Sequence, residues 1–309
     1  MAYEHRPVLF DEVMRGLAIR ANGVYVDGTF GGGGHSLGIL QRLGPEGRLI
    51  ALDKDLDAIQ RGTTGPFRDS RFCGIQDSFS HLELIVRNRG WHGKIDGIVL
   101  DLGVSSFQLD NPARGFSFTK DGPLDMRMDT RQSVDAAAWI HEASEAEIAR
   151  VLRDYGEERY ARRIARAIVK ARIQKPITRT QQLSDIIISV SPIRGEKKHP
   201  ATRSFQAIRI FINRELEELR DSLSQCLEVL AVGGRLCVIS FHSLEDRLVK
   251  QFIHRESREA AYPPDLPIRE SQIHYRLRKI GALIRPITQE ITVNPRARSA
   301  RLRIAEKIA

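Results

Sequence analysis

The chain has 309 residues, 41% of them hydrophobic, and a formal net charge of +9. That length predicts about two domains with room for a large core, and the composition excludes disordered and fibrous classes. Cys73, Cys226 and Cys237 form no Cys-x-x-Cys pair and the nine histidines form no His-Glu-x-x-His, which argues against a disulfide scaffold or a protein-held metal. The cysteines read as free thiols in a reducing cytosol. With a polar start, Met1-Ala-Tyr-Glu-His-Arg-Pro7, and no apolar run of membrane-spanning length, the expected protein is soluble and cytoplasmic, with no membrane partner. The charge is unevenly placed: residues 1–108 carry −1, residues 109–200 carry +4 and residues 201–309 carry +6. An excess confined to the later segments points to an anionic polymer as partner, because phosphates dominate nucleic-acid affinity.

Residues 24–35, Val-Tyr-Val-Asp-Gly-Thr-Phe-Gly-Gly-Gly-Gly-His, read as a strand closing on Asp27, a glycine loop and a helix start. Only glycine takes positive φ at no steric cost and lets a ligand approach the backbone, so the run Gly31 to Gly34 suits a binding surface; a plain flexible loop is the alternative. The next strand, Arg48-Leu-Ile-Ala-Leu-Asp53, ends on a carboxylate twenty positions after Gly33, the spacing at which α/β nucleotide sites place an acid on a ribose. Asp53 is therefore expected to accept hydrogen bonds from a ribose diol, or else to cap the helix starting around Asp55. A third strand, Ile95-Asp-Gly-Ile-Val-Leu-Asp101, again ends on an acid, on the edge where open α/β sheets bind ligands.

A dinucleotide fingerprint wants a glycine three positions after Gly33, where this chain has Ser36. S-adenosylmethionine has no pyrophosphate to seat, needs a ribose acid, and needs a groove for a sulfonium and an amino-acid tail. Asp27, the glycine loop, Asp53 and Asp101 fit that ligand better.

Residues 105–135, rich in Ser, Gly, Pro and Asp without a steady period, predict a long loop and a domain junction. In residues 157–174, Tyr160, Ile164 and Ile168 recur every four positions while Arg159, Arg162, Arg163, Arg166 and Lys170 take other faces, predicting an amphipathic helix with a basic side, either solvated or in contact with nucleic acid. Pro176, Ser191-Pro192 and His199-Pro200 punctuate the return. Phe205, Ile208, Ile212, Leu216, Leu219, Leu223, Leu227 and Leu230 predict one long helix over 204–230, ended by Gly233-Gly234. Arg235-Leu-Cys-Val-Ile-Ser240 resumes the strands, so 109–200 reads as a helical substrate-recognition domain inserted into a sheet domain made of 1–108 and 201–309. Near the end, Arg296, Arg298, Arg301 and Arg303 alternating with Leu302 and Ile304 predict a strand with one basic side.

Eight ordered motifs span nearly the whole chain: Asp27-Gly-Thr-Phe-Gly with Gly33-Gly-His35, Asp101-Leu-Gly-Val-Ser-Ser106, Arg114-Gly-Phe-Ser-Phe118, Gly122-Pro-Leu-Asp-Met-Arg-Met-Asp129, Tyr155-Gly-Glu-Glu158, His199-Pro-Ala-Thr-Arg-Ser-Phe-Gln206, Ser240-Phe-His-Ser-Leu-Glu-Asp-Arg247 and Asn294-Pro-Arg-Ala-Arg-Ser299. Together they strongly resemble the bacterial ribosomal RNA small-subunit methyltransferase H family. The resemblance implies a class I, Rossmann-like methyltransferase sheet with an inserted helical domain. It further implies S-adenosylmethionine-dependent methylation of the exocyclic N4 of a cytosine in the decoding region of small-subunit rRNA, with the small ribosomal subunit as partner. Carried over residue by residue, cofactor contacts fall on Gly33, Gly34, His35, Asp53, Phe79, Asp101 and Gln108. Phe79 then becomes an adenine-facing aromatic, where the pattern alone reads as core.

Cytosine N4 is a poor nucleophile because its lone pair is delocalised into the ring, so the enzyme must align N4 with the sulfonium methyl and accept an N4 hydrogen bond. A carboxylate or carbonyl at the end of the third strand is the obvious acceptor, and the loop 101–106, which starts with Asp101 as the candidate catalytic residue, is there. Many amino-methyltransferases carry Asp/Asn-Pro-Pro-aromatic there, whereas this chain has Asp101-Leu-Gly-Val104 and so no evident base-stacking partner. Asp125, Arg127, Arg203 and His242 are candidates for closing over the substrate, each with a structural ion pair or cap as the alternative. Two other functions stay open: the same chemistry on DNA or another RNA, and a cofactor-binding scaffold without turnover. Oligomeric state also stays open, a homodimer included.

Overall fold

The computed structural model describes residues 7–191, 199–257 and 275–309; the polar run before Pro7, and Pro192, lie outside them. Two compact units divide the chain, one formed by Met1–Gly103 with Leu216–Ala309 and the other by Val104–Glu215.

In the first unit the strands are β1 (Val24–Asp27), β2 (Arg48–Asp53), β3 (Phe72–Gln76), β4 (Ile95–Asp101), β5 (Leu230–Ser240), β6 (Leu277–Lys279) and β7 (Arg301–Lys307). Among the described residues they form one sheet in the order β3-β2-β1-β4-β5-β7-β6. Strands β1 to β5 run parallel, and β7 pairs antiparallel with both β5 and β6. This is the class I methyltransferase sheet expected from the resemblance. In the chain's first passage its helices are α1 (Phe10–Leu17), α2 (Gly34–Leu40), α3 (Leu56–Arg61) and α4 (Leu82–Arg87).

Strand alternation decides which face each side chain buries. Val26, Ile50, Leu52, Ile98, Leu100 and Val238 join a core with Leu82, Val86, Leu219, Leu223, Val249 and Phe252. Their neighbours Tyr25, Leu49, Val99, Cys237 and Ile239 join a second core with Val13, Met14, Leu17, Ile39 and Leu40. Both faces are therefore covered, as parallel sheets require. The chain order reverses between β1 and β4, the switch point beside which open sheets bind ligands, and those two strands end on Asp27 and Asp101.

The second unit contains α5 (Ser106–Asp110), α6 (Ala136–Glu142), α7 (Glu145–Gly156), α8 (Ala161–Gln174), α9 (Thr180–Val190) and α10 (Thr202–Asn213). Trp139, Ile148, Leu152, Ile164, Ile168, Leu183, Phe205 and Ile208 share its core. It is wider than the 109–200 insert expected from sequence, because α10 packs on α7 within this unit. The irregular stretch before α6 is held by Arg114, which donates to the Arg127 and Met128 carbonyls at 3.0 Å, and by Asn213, which donates to the Met126 carbonyl and accepts from Met128 N.

The single helix expected over 204–230 is two. Arg214 at φ +52° breaks it between α10 and α11 (Glu215–Val229), and Arg209 pairs with Glu215 across the corner. The apolar period runs through the break because Phe205, Ile208 and Ile212 serve one core while Leu219, Leu223 and Leu227 serve another. Strand β5 accordingly starts at Leu230, five residues earlier than expected. Helix α8 begins at Ala161, leaving Tyr160 half-exposed as its N-cap instead of in the core. Among the described residues two further helices follow, α12 (Ser243–Glu256) and α13 (Thr288–Val293).

Candidate functional site

The carboxyl ends of β1, β2 and β4 bring Asp27, Asp53 and Asp101 together with the glycine loop. Asp27 is buried and accepts from Ser36 Oγ at 2.6 Å and Thr29 N at 3.1 Å. Ser36, the residue that breaks the dinucleotide pattern, thus anchors α2 to the end of β1. Burial pushes the Asp27 carboxyl up to about 6 even though Ser36 and Thr29 oppose it.

Asp53 accepts Gly31 N on Oδ2 and Asp55 N on Oδ1, both at 2.8 Å. The N-cap of α3 is Asp55, which accepts from Asp57 N, so the capping role considered for Asp53 falls two residues later. Each Asp53 oxygen keeps a second lone-pair direction for a hydroxyl. Burial raises its pKa, against the two backbone donors.

Gly31 and Gly33 have φ of +51° and +76°, and a Cβ on Gly33 would sit 2.6 Å from Phe67 and 2.8 Å from Phe30. Only glycine makes that turn there. His35 follows, buried; its Nε2 lies 3.1 Å from the Val8 carbonyl and therefore carries the hydrogen, while Nδ1 lies 3.7 Å from Asp101 Oδ2. Asp101 donates its backbone N–H to Thr29 Oγ1 at 2.6 Å. Its Oδ1 is buried with no hydrogen-bond partner, and burial, then Asp27 and Glu245, push its pKa well above the ordinary carboxylate value. Thr29 and Glu245 escaped the sequence reading, although Thr29 stands inside the motif that carries the glycines.

A cluster of buried acids with an unfilled acceptor is a place for a cation, because a positive charge nearby offsets the burial and repulsion that now favour protonation. The sulfonium and ammonium of S-adenosylmethionine have that charge, and its ribose diol suits Asp53. The residues present therefore fit this group.

Phe79 opens a short turn after β3, capped by Ser78, and is half-buried against the core shared with Val26 and Leu100. Gln108 lies in the helical unit, where its side chain accepts from Ser105 N at 2.9 Å and completes a capping box. Asp125 and Arg127, in the same unit, form a two-point ion pair, Nε to Oδ1 at 2.8 Å and a terminal nitrogen to Oδ2 at 2.7 Å. Arg203 makes a long 3.5 Å contact to the Glu157 carbonyl. In the sheet unit, His242 caps α12 and its ring nitrogens lie 3.4 Å from Glu245 N and 3.1 Å from Glu245 Oε1. Asp125 with Arg127 thus makes an ion pair and His242 a helix cap, and the fold groups Gly33, Gly34, His35, Asp53 and Asp101 around the switch point.

The basic strand expected over 296–304 is altered by the fold. Only Arg301 and Arg303 lie on β7, and both bind Asp246 of α12, at 2.9 Å and 2.7 Å. Arg296 and Arg298 belong to a short 3-10 turn.

The sequence model of the MraW methylase family matches residues 2–308. The chain belongs to the MraW methylase family. This is a family of S-adenosylmethionine-dependent methyltransferases. Among curated relatives, the protein named ribosomal RNA small subunit methyltransferase H of Coxiella burnetii (strain RSA 493 / Nine Mile phase I) is 65% identical over 305 residues, 99% of each chain. The protein of the same name from Nitrosococcus oceani is 54% identical over 304 residues, 98% of this chain and 96% of its own. Family membership agrees with the acid-and-glycine geometry in requiring a cationic methyl donor. No helix among the described residues is long and apolar enough to cross a membrane.

Proposed function

We propose that this chain methylates the exocyclic N4 of a cytosine in the decoding region of small-subunit rRNA. The names of its relatives support the substrate class, and the resemblance in sequence supports the atom. The observation that carries the chemistry is the buried, unpartnered Oδ1 of Asp101 at the switch point. S-adenosylmethionine supplies an electrophilic methyl on a sulfonium. Attack by N4 forms the N–C bond as the S–C bond breaks, and N4 must then lose a proton. Asp101 accepts that hydrogen: its hydrogen bond localises the N4 lone pair during approach and its carboxylate takes the proton afterwards. Thr29 fixes the Asp101 backbone, and the His35 ring stands beside the other carboxylate oxygen.

In this reading Gly33, Gly34 and His35 shape the cofactor cradle, Asp53 takes the ribose, Phe79 faces the adenine and Gln108 completes the set. Asp125, Arg127, Arg203 and His242 are assigned to the substrate side. The target cytosine must be unstacked, which a single-stranded rRNA segment allows at low cost. Small ribosomal subunits are the proposed partner.

The test is transfer of tritiated methyl to assembled small subunits, naked rRNA and DNA, followed by nucleoside analysis. N4-methylcytidine from small-subunit RNA is the expected product; label on DNA alone, or no label, overturns the reading. Asp101→Asn should lower turnover about 10²- to 10⁴-fold, the range of a lost general base. Near wild-type turnover removes Asp101 from the role.

A further inference from the structure

From the exposed face of α8, we infer that this helix is a docking surface for the phosphate backbone of the RNA substrate; the inference rests on the function proposed above. Helix α8 contains five cations and no acid over fourteen residues. Ile164, Ala165 and Ile168 are buried on its inner side. Arg162, Arg163, Arg166 and Lys170 are exposed on the outer side, continued by exposed Arg159 just before the helix. Arg172 is turned away, donating to the Ile140 and Ala143 carbonyls.

A helix face that only needs to be wet normally mixes charges, since i,i+4 pairs of opposite sign stabilise it. This face does the reverse. Within α8, Arg162 with Arg166 and Arg166 with Lys170 are like-charged neighbours four apart, each costing stability. Among the described residues, Arg159, Arg162, Arg163 and Lys170 form no ion pair, and Arg166 has only a loose 3.7 Å contact with exposed Glu145. Three other exposed arginines of this unit are matched to acids, Arg131 to Asp129, Arg179 to Asp121 and Arg153 to Asp154, while Arg150 and Arg214 are exposed singly. From 162 to 170 the stripe runs about 12 Å at the rise of an α-helix, long enough to meet more than one phosphate. Four of the five cations are arginines, whose forked donors match phosphate oxygens two at a time. An unpaired arginine stripe that lowers the helix's own stability is explained by a polyanion that neutralises it.

The experiment uses the full chain with small-subunit rRNA. RNA affinity is measured across a salt series for wild type, Arg162→Glu with Arg166→Glu, and the same pair changed to Gln. Each lost phosphate contact removes about 0.7–0.9 from the slope of log affinity against log salt, so either double variant should flatten it by about 1.4–1.8. Affinity at low salt should fall at least about tenfold, cofactor affinity should hold, and the Gln pair should melt no lower than wild type because two repulsive contacts are relieved. Unchanged slope and affinity in the folded Gln pair overturn the inference. So does a result in which methylation of assembled subunits falls while naked-RNA binding does not, because the face would then meet a ribosomal protein. If wild type transfers no methyl to small-subunit RNA, the proposed function fails, whatever the salt slope shows.

Discussion

Asp53→Asn separates the ribose role of this carboxylate from its role in the fold. Both oxygens already accept backbone N–H groups, from Gly31 and from Asp55, each at 2.8 Å. The amide keeps one acceptor and turns an NH2 toward the other backbone donor, which loses its partner at a cost of about 1–3 kcal/mol. At about 2–4 °C per kcal/mol for a domain of this size, the melting temperature should fall by several degrees, with the protein still folded at 25 °C. Cofactor affinity should drop independently, because one charge-assisted hydrogen bond to a ribose hydroxyl is worth about 1.5–3 kcal/mol, roughly 10- to 150-fold in Kd. Calorimetric titration with S-adenosylmethionine, beside thermal unfolding of the same preparation, reads both. A variant that melts lower but binds with a Kd within about twofold of wild type would refute the ribose assignment and leave Asp53 as a brace for the glycine loop.

Asp27 gives stability a pH dependence of defined sign. Its carboxyl titrates near 6 in the fold against 3.8 ordinarily, so the folded state holds the proton more tightly. Stability is then fully present below the unfolded value and is lost as pH rises through about 6, a change of about 3 kcal/mol. Asp27→Asn should remove that loss; an unfolding free-energy difference between variant and wild type that stays flat from about pH 4 to about pH 7 sinks the argument. Asp246→Ala should destabilise by about 2 kcal/mol or more in denaturant unfolding, because Arg301 and Arg303 both lose their partner on β7. A loss under about 1 kcal/mol would leave these arginines as the unpaired basic strand side expected from sequence.

What the sequence made legible is what local pattern carries. The acids that end β1, β2 and β4, and the glycines between them, are visible because strand alternation and positive-φ demand are written in adjacent residues. Strands β3 and β6 went unread: the first has exposed Cys73 and Gly74 at its centre, and the second is three residues long, so neither has a period to detect. The break at Arg214 is invisible for a different reason, since apolar spacing records that a residue is buried and not which core receives it. The same limit governs charge. Arg301 and Arg303 look like an outward basic edge until the fold brings Asp246 beside them from more than fifty residues away, whereas Arg162 and Arg163 of α8 meet no acid among the described residues.

The converse holds at the switch point, where Asp27 and Asp101 are legible one strand at a time but join Glu245 as a mutually repelling group only once β1, β4 and α12 are assembled. A carboxylate driven toward protonation by its neighbours is a poor proton acceptor until a cation arrives. Under the proposed mechanism the arrangement would couple the two halves of the reaction: binding the positively charged donor would lower the cost of ionising Asp101, so the proposed acceptor for N4 would be armed when the methyl group is in place. Electrostatics then orders the events, donor before base removal, without any moving part. It follows that the Asp101→Asn variant, which removes the charge but not the shape, should weaken binding of the cationic donor more than binding of its neutral thioether product; equal losses for the two ligands would show that Asp101 senses shape and not charge.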